Sequence, residues 1–270
     1  MKHHQIIIWI AALMVLTQCR QTDKFYSNVL RSNAYVQAYD EYKYDFLWVI
    51  DNSGSMLPRR EFIRDNMQTF LNILNSRKAV DYRMAITTVD MFTDGGALIV
   101  GNGGIDVVTS DSANPIADFA SIINNVKDSM TSFWDQGLES MYQAIYTSGD
   151  KFWRPGVPLI IIIVSDSDSW DCKDECWGVQ PENNDHWISF PTSRYINFLK
   201  NKSKAMNADV SVFPITGTTS EDCGYEVVGQ RFIEVQEALG NLGRTASIRP
   251  RQLAESYNGV AQVIADRGTI

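Results

Sequence analysis

Two short stretches of the chain set carboxylates beside hydroxyls in a way that could do chemistry. Asp51-Asn52-Ser53-Gly54-Ser55 follows directly on the apolar residues 46–50, and Ser165-Asp166-Ser167-Asp168 follows on residues 159–164. A carboxylate that comes straight after buried aliphatics is costly unless a cation or hydrogen-bond donors meet it. Ser53 and Ser55 alternate beside Asp51, and Gly54 permits a tight turn, so several oxygens could point into one space. Small, hard divalent ions such as Mg²⁺ want that: an octahedral shell of oxygens, few of them charged, with water filling the rest. Neither segment contains His or Cys, which disfavours zinc and copper. The plainer alternative is that Asp51 caps the helix that follows it and Asp166 caps a turn.

The elements that must position these loops follow from hydrophobic periodicity. Residues 46–50 and 159–164 are continuous apolar runs, the mark of strands buried on both faces. Residues 82–89 and 210–215 are further strands. Ile63, Met67, Phe70, Leu71 and Leu74 fall at helical spacing, as do Ile116, Phe119, Ile122, Ile123 and Val126 behind Asn114-Pro115, where Pro suits a first turn. Leu138, Met141, Ala144 and Ile145 mark a third helix, and residues 195–199, 232–239 and 253–264 add more. Residues 97–100 with 107–108, beyond the Asp94-Gly95-Gly96 turn, suggest an edge hairpin or extension. Strands alternating with helices predict an α/β protein, with a doubly wound, mostly parallel central sheet and helices on both faces. Ligands of such sheets bind outside the carboxyl ends of the strands, where the strand order reverses. The two exit loops are therefore the ones to inspect.

Here the pattern meets a family. Asp51-x-Ser53-x-Ser55 resembles the first segment of the metal-ion-dependent adhesion site of von Willebrand factor A domains, and the order of elements over residues 44–270 resembles that domain. The resemblance implies that a hydroxyl residue from a second loop and an aspartate from a third complete the site. Asp166 sits where the aspartate belongs, with Ser167 in place of the usual Gly. Ser132, a few residues ahead of Gly137-Leu138, takes the place of the family's Thr, with Thr131 as the alternative. Ser for Thr keeps the oxygen and loses a methyl. The implied ligands are Asp51, Ser53, Ser55, Ser132 and Asp166, and the implied cofactor is Mg²⁺, with Mn²⁺ or Ca²⁺ as alternatives.

The implied activity is binding, not turnover: a Glu or Asp carboxylate of a protein partner completes the metal shell. Such a bond is charge-assisted and can anchor an otherwise modest interface. Trp134 and Trp170 would rim the site, aromatic residues being favoured at interfaces; the competing reading makes both of them packing residues. Asp168, Asp171, Asp174 and Glu175 read as solvated surface, with a second cation such as Ca²⁺ as the alternative. Their spacing does not fit an EF-hand loop.

The beginning of the chain reads as an export signal. Lys2 supplies a positive charge, and residues 6–16 are an uninterrupted apolar run of signal-core length, too short to span a bilayer. Leu16-Thr17-Gln18-Cys19 resembles the lipobox of bacterial lipoproteins. That resemblance implies removal of residues 1–18, lipidation of Cys19 and a membrane anchor; Arg20 in place of Asp points to the outer membrane. Residues 19–43 then form the lipidated Cys and a tether, and residues 44–270 the domain. Export implies an oxidising compartment, which makes Cys172, Cys176 and Cys223 disulfide candidates with one thiol left over. Cys172 and Cys176 are close enough to close a small loop, Cys223 could compete for either, and zinc at the close pair is the alternative.

Hydrophobic residues make up 44% of the 270, enough for a full core without staples. The net charge of −8, without a Lys or Arg block, argues against nucleic acid and for cations, or partners that approach through one. The expectation is a cell-envelope lipoprotein with an adhesion or scaffold role, not an enzyme. A metal-dependent hydrolase on the same aspartates is the alternative from another class, and it would need a further base positioned near the ion. A structural lipoprotein without metal is the third reading.

Overall fold

The computed structural model describes residues 42–129, 135–171, 190–218 and 227–267. Its organising element is β1 (Tyr42–Ile50), which is buried from Tyr44 to its end. Alternate side chains of a strand face opposite sides, so Phe46, Trp48 and Ile50 enter one hydrophobic layer while Leu47 and Val49 enter another. On either side of β1 lie β2 (Val80–Thr88), β3 (Val107–Thr109), β4 (Leu159–Val164), β5 (Val210–Thr216) and β6 (Ala246–Ser247), in the order β3-β2-β1-β4-β5-β6. All neighbours run parallel except β3, which is antiparallel to β2.

Helices α1 (Leu57–Leu74), α2 (Pro115–Asn124) and α6 (Leu253–Arg267) cover the face that Trp48 enters. Helices α3 (Gly137–Phe152), α4 (Thr192–Met206) and α5 (Gln230–Leu239) cover the other. This is the doubly wound α/β sheet that the alternation of patterns predicts. Trp48 fixes the first face, its ring lying 5.4 Å from Phe70, 5.7 Å from Phe119 and 6.0 Å from Tyr257, one residue from each covering helix. On the second face α3 begins at Gly137, where a Cβ would meet the Phe232 ring at 2.9 Å; the missing side chain lets α5 close on α3. Asn114 caps α2, its side-chain oxygen accepting the Ala117 N–H at 3.1 Å.

At the amino ends of the strands, the buried Asp45 accepts from Arg154 Nη2 at 2.7 Å, and Arg154 Nη1 lies 2.7 Å from both carboxylate oxygens of Asp81. Burial pushes the Asp45 carboxyl above its ordinary value, against the pull of Arg154. No helix among the described residues is long and apolar enough to cross a membrane.

Three details depart from the sequence reading. β1 begins at Tyr42, two residues before the expected start of the domain. Residues 97–100 run beside β2, with Ile99 N–H donating to the Ile86 carbonyl at 2.8 Å, but only residues 107–109 form a strand. β6 is two residues long, below the length at which alternation can be read from sequence.

Candidate metal centre

The strand order runs outward from β1 in both directions, so it reverses between β1 and β4. Their ends are level, with Ile50 opposite Val164, and the residues that follow emerge together at one edge. Asp51 is fully buried there, and its N–H donates to the Val164 carbonyl at 2.9 Å. Its Oδ1 accepts the Ser53 N–H at 2.8 Å, and its Oδ2 accepts the Ser165 hydroxyl at 2.7 Å. The first contact closes a local two-residue turn and does not cap α1, whose N-cap is Met56, so the plainer alternative of a helix cap at Asp51 is not what forms; the second crosses to the neighbouring strand. Burial raises the Asp51 carboxyl above its ordinary value, the hydrogen bonds from Ser165 and Ser53 oppose this, and the Asp166 charge adds to it.

Ser53 leads into a 3₁₀ turn, Gly54–Met56, that continues into α1. The turn brings the Ser53 and Ser55 hydroxyl oxygens to 3.0 Å. It does not need its glycine: Gly54 has no positive φ, and a Cβ there would meet open space. One turn further on, Arg59 Nη1 donates to Asp166 Oδ2 at 3.1 Å and to the Ser55 carbonyl at 3.2 Å, while its Nε donates to the Ile248 carbonyl at 3.2 Å. Arg60, almost fully buried, reaches the Ser53 carbonyl at 3.4 Å and pairs with Asp128.

The second loop is tied to the first on its approach. Asn52 Nδ2 donates to the Lys127 carbonyl at 3.0 Å, and Ser129 N–H to the Asn52 carbonyl at 2.9 Å. Ser132, Thr131 and Trp134 lie outside the described residues. Beyond them Asp135 is buried, its carbonyl accepting the Trp170 N–H at 2.6 Å, and the next residue's N–H reaches the Val89 carbonyl at 2.9 Å. Burial, then the Asp51 charge, push the Asp135 carboxyl up to about 7; a hydrogen bond from Ser167 pulls the other way, and the Asp166 and Asp90 charges add to the rise. Asp90, the second residue past β2, is also buried: Oδ1 accepts the Phe92 and Thr93 N–H groups at 3.0 and 2.9 Å. Among the described residues nothing pairs with its Oδ2.

The third loop corrects one expectation. Asp168 and Asp171 are not solvated surface. Asp171 is fully buried, accepting the Glu139 N–H at 2.7 Å with one oxygen and Arg231 Nη2 at 3.1 Å with the other. Asp168 Oδ1 accepts the N–H groups of Ser169 at 2.8 Å and Arg231 at 3.1 Å, and burial still pushes its carboxyl up to about 6. With the Ser169 hydroxyl accepting the Leu138 N–H at 2.9 Å, the third loop caps the first turn of α3 and holds the second and third loops together. Asp174, Glu175, Cys19, Cys172, Cys176 and Cys223 lie outside the described residues.

The donor set fits a hard cation. Asp51, Ser53, Ser55 and Asp166 offer oxygen alone. Among the described residues the buried carboxylates of Asp51, Asp90 and Asp135 have no basic partner, an expensive arrangement that a positive ion would relieve. No three acidic, His or Cys side chains among those residues cluster tightly enough to hold an ion by themselves. Around the acids, Leu57, Phe92, Trp170 and Val227 are exposed, and Val227 N–H donates to the Asp166 carbonyl at 2.8 Å. Sequence reasoning missed Arg59, Asp90 and Asp135. Asp90 carried a legible signal, since it leaves β2 much as Asp51 leaves β1.

No family model matches the chain, and no curated protein does. Among solved structures, the pilus adhesin SpaC of Lactobacillus rhamnosus GG, in its open conformation, is similar at 13% identity and a TM-score of 0.51, over 84% of this chain and 30% of the adhesin. The PilB minor pilin of Streptococcus sanguinis is 13% identical at a TM-score of 0.47, over 84% of this chain and 63% of the pilin. The ArnB paralog VWA2 of Sulfolobus acidocaldarius is 11% identical at 0.38, over 82% of this chain and 44% of its own. The likeness to the adhesin is one of fold alone, and this chain spans less than a third of it; the other two are too loose to carry an argument.

Proposed function

We propose that the chain carries a von Willebrand factor A-type domain that holds a divalent cation, Mg²⁺ before Mn²⁺ or Ca²⁺, and binds a protein partner through it. Asp51, Ser53, Ser55 and Asp166 would hold the ion, with Ser132 as the second-loop ligand. The single observation that carries this reading is the edge shared by Asp51 and Asp166 at the switch point, with two serine hydroxyls beside them and a buried carboxylate that has no basic partner among the described residues. A bound cation supplies an open coordination position for a Glu or Asp carboxylate of the partner. The exposed Leu57, Phe92, Trp170 and Val227 offer that partner apolar contact around a polar centre, the usual anatomy of an interface. Binding rather than turnover is the reading we favour, because exposed apolar side chains beside the acids suit the surface of a protein partner.

The setting we propose is the cell envelope, with the domain tethered through a lipidated Cys19 and acting in adhesion or as a scaffold. A pilus adhesin shares the fold; the functional reading itself rests on the site. Calorimetric titration of the purified domain with Mg²⁺, and melting in Mg²⁺ against EDTA, test it, with Asp51→Asn as the variant. Wild type should bind and be stabilised while the variant does neither. If Mg²⁺, Mn²⁺ and Ca²⁺ all leave the wild-type melting temperature unchanged and no heat of binding appears, the reading is wrong.

A further inference from the structure

A groove of about 470 Å³ runs between β6, the last strand of the sheet, and α6, and none of the proposed metal ligands lines it. That is the size of a small-molecule site. Its floor is the margin of the first hydrophobic layer: Phe213 of β5 with Val260 and Val263 of α6. Two opposite charges line the same space. Arg244 stands two residues before β6 and Glu255 in the first turn of α6, and both are exposed. Among the described residues neither belongs to an ion pair, so they do not close on each other either. One turn beyond Glu255 the groove meets Gly259, in the middle of α6. Glycine inside a helix is destabilising relative to alanine. The usual reasons for keeping it are absent, since its φ is not positive and a Cβ would meet nothing within 4 Å. What its missing side chain leaves open is the groove.

We propose that this groove binds a small zwitterion with an apolar body: a free apolar amino acid or a short apolar peptide. The inference goes beyond the metal reading and does not rest on it. The ligand's carboxylate meets Arg244, whose planar guanidinium offers two parallel donors to such a group. Its ammonium meets Glu255. Its apolar side chain covers Phe213, Val260 and Val263 and leaves water in doing so. Either charge alone would be ordinary solvated surface. Together they flank one apolar floor and stay apart from each other. A plain fatty acid would leave Glu255 unmatched, and a plain amine would leave Arg244 so; a ligand that carries both charges answers both.

The test is calorimetric titration of the purified protein with leucine and with leucyl-leucine, each also in its N-acetylated and its C-amidated form. Titration in EDTA keeps the outcome independent of the metal reading. At least one zwitterion should bind, and which of the two does so tells an amino-acid site from a peptide site. Either blocked form should bind on the order of tenfold more weakly, the loss expected for one charge-assisted bond. Arg244→Gln should weaken the zwitterion by a similar factor and leave the amide as it was. Glu255→Gln should do the same to the zwitterion and leave the acetylated form as it was. Gly259→Leu should abolish binding without lowering the melting temperature, since leucine is the better helix former. If neither zwitterion binds at millimolar concentration, or if binding survives Arg244→Gln and Glu255→Gln undiminished, the groove is solvated surface and the proposal is overturned.

Discussion

Asp135→Asn should stabilise the cation-free protein at pH 8 and do so much less at pH 5. Burial and the nearby Asp51 charge hold the Asp135 carboxyl at about 7, against an ordinary 3.8. A carboxyl whose value is raised on folding keeps its proton longer in the folded state. Its contribution to stability is therefore full below about 4 and lost as the pH rises through about 7. Three units at about 1.4 kcal/mol each give a cost on the order of 4 kcal/mol for carrying the charge at pH 8. Asparagine keeps the shape and escapes that cost, but it forfeits a charge-assisted bond from Ser167, which leaves a net gain of about 2–4 kcal/mol. In a domain of this size that is a rise of roughly 5–10 °C in melting temperature. At pH 5 the folded carboxyl keeps its proton while the unfolded one has lost it, so only about one unit of the cost, roughly 1–2 kcal/mol, is present and the two forms should melt closer together. Far-UV circular dichroism melts in EDTA at the two pH values decide it. Equal melting temperatures at pH 8 would refute the charge argument, and an equal gain at both pH values would mean that packing is responsible.

Other consequences can be checked alongside. Mg²⁺ should raise the melting temperature more at pH 8 than at pH 5, because the carboxyls of Asp51 and Asp135, both raised, must shed protons before they can face a cation. Arg154→Ala strands the buried Asp45 without its cation and should cost about 3–5 kcal/mol in urea denaturation; Mn²⁺ affinity should not change, since the pair lies at the opposite end of the sheet. Gly137→Ala sets a methyl 2.9 Å from the Phe232 ring and should cost about 1–3 kcal/mol by the same measurement, although alanine is the better helix former.

Much of the architecture was legible because it rests on local pattern. The runs at residues 46–50 and 159–164 could only be central strands, and the spacing of Ile63, Met67, Phe70, Leu71 and Leu74 could only be one helix face. Strands followed by acids then named the right edge of the sheet for Asp51 and Asp166. What escaped depends on contacts between residues distant in sequence. Arg59 looks like any basic residue on an exposed helix turn until Asp166, 107 residues later, comes back beside it. The burial of Asp135 cannot be read from its own segment, because the N–H that meets its carbonyl comes from Trp170, on the third loop. Asp168 and Asp171 were misread for the same reason, since their partners on α3 and α5 cannot be seen from their own segment.

The buried acid groups of this protein are of two kinds. Asp45, Glu139 and Asp171 are buried, and each has an arginine: Arg154, Arg194 and Arg231. Those pairs join elements that are far apart in sequence, and removing either member leaves the other uncompensated. Asp51, Asp90 and Asp135 are equally buried, and among the described residues none has a basic partner. All three stand at the carboxyl edge of the sheet. A chain that matches Asp45, Glu139 and Asp171 has left these three unmatched among the described residues, beside Asp166 and two serine hydroxyls. Stability alone favours neutralising such acids, as Asp135→Asn would do, so their retention in one place is the kind of cost that accompanies a binding site. Arg59 refines the point: it matches Asp166, the acid of the site that also touches solvent, and leaves the buried ones to whatever positive charge arrives from outside.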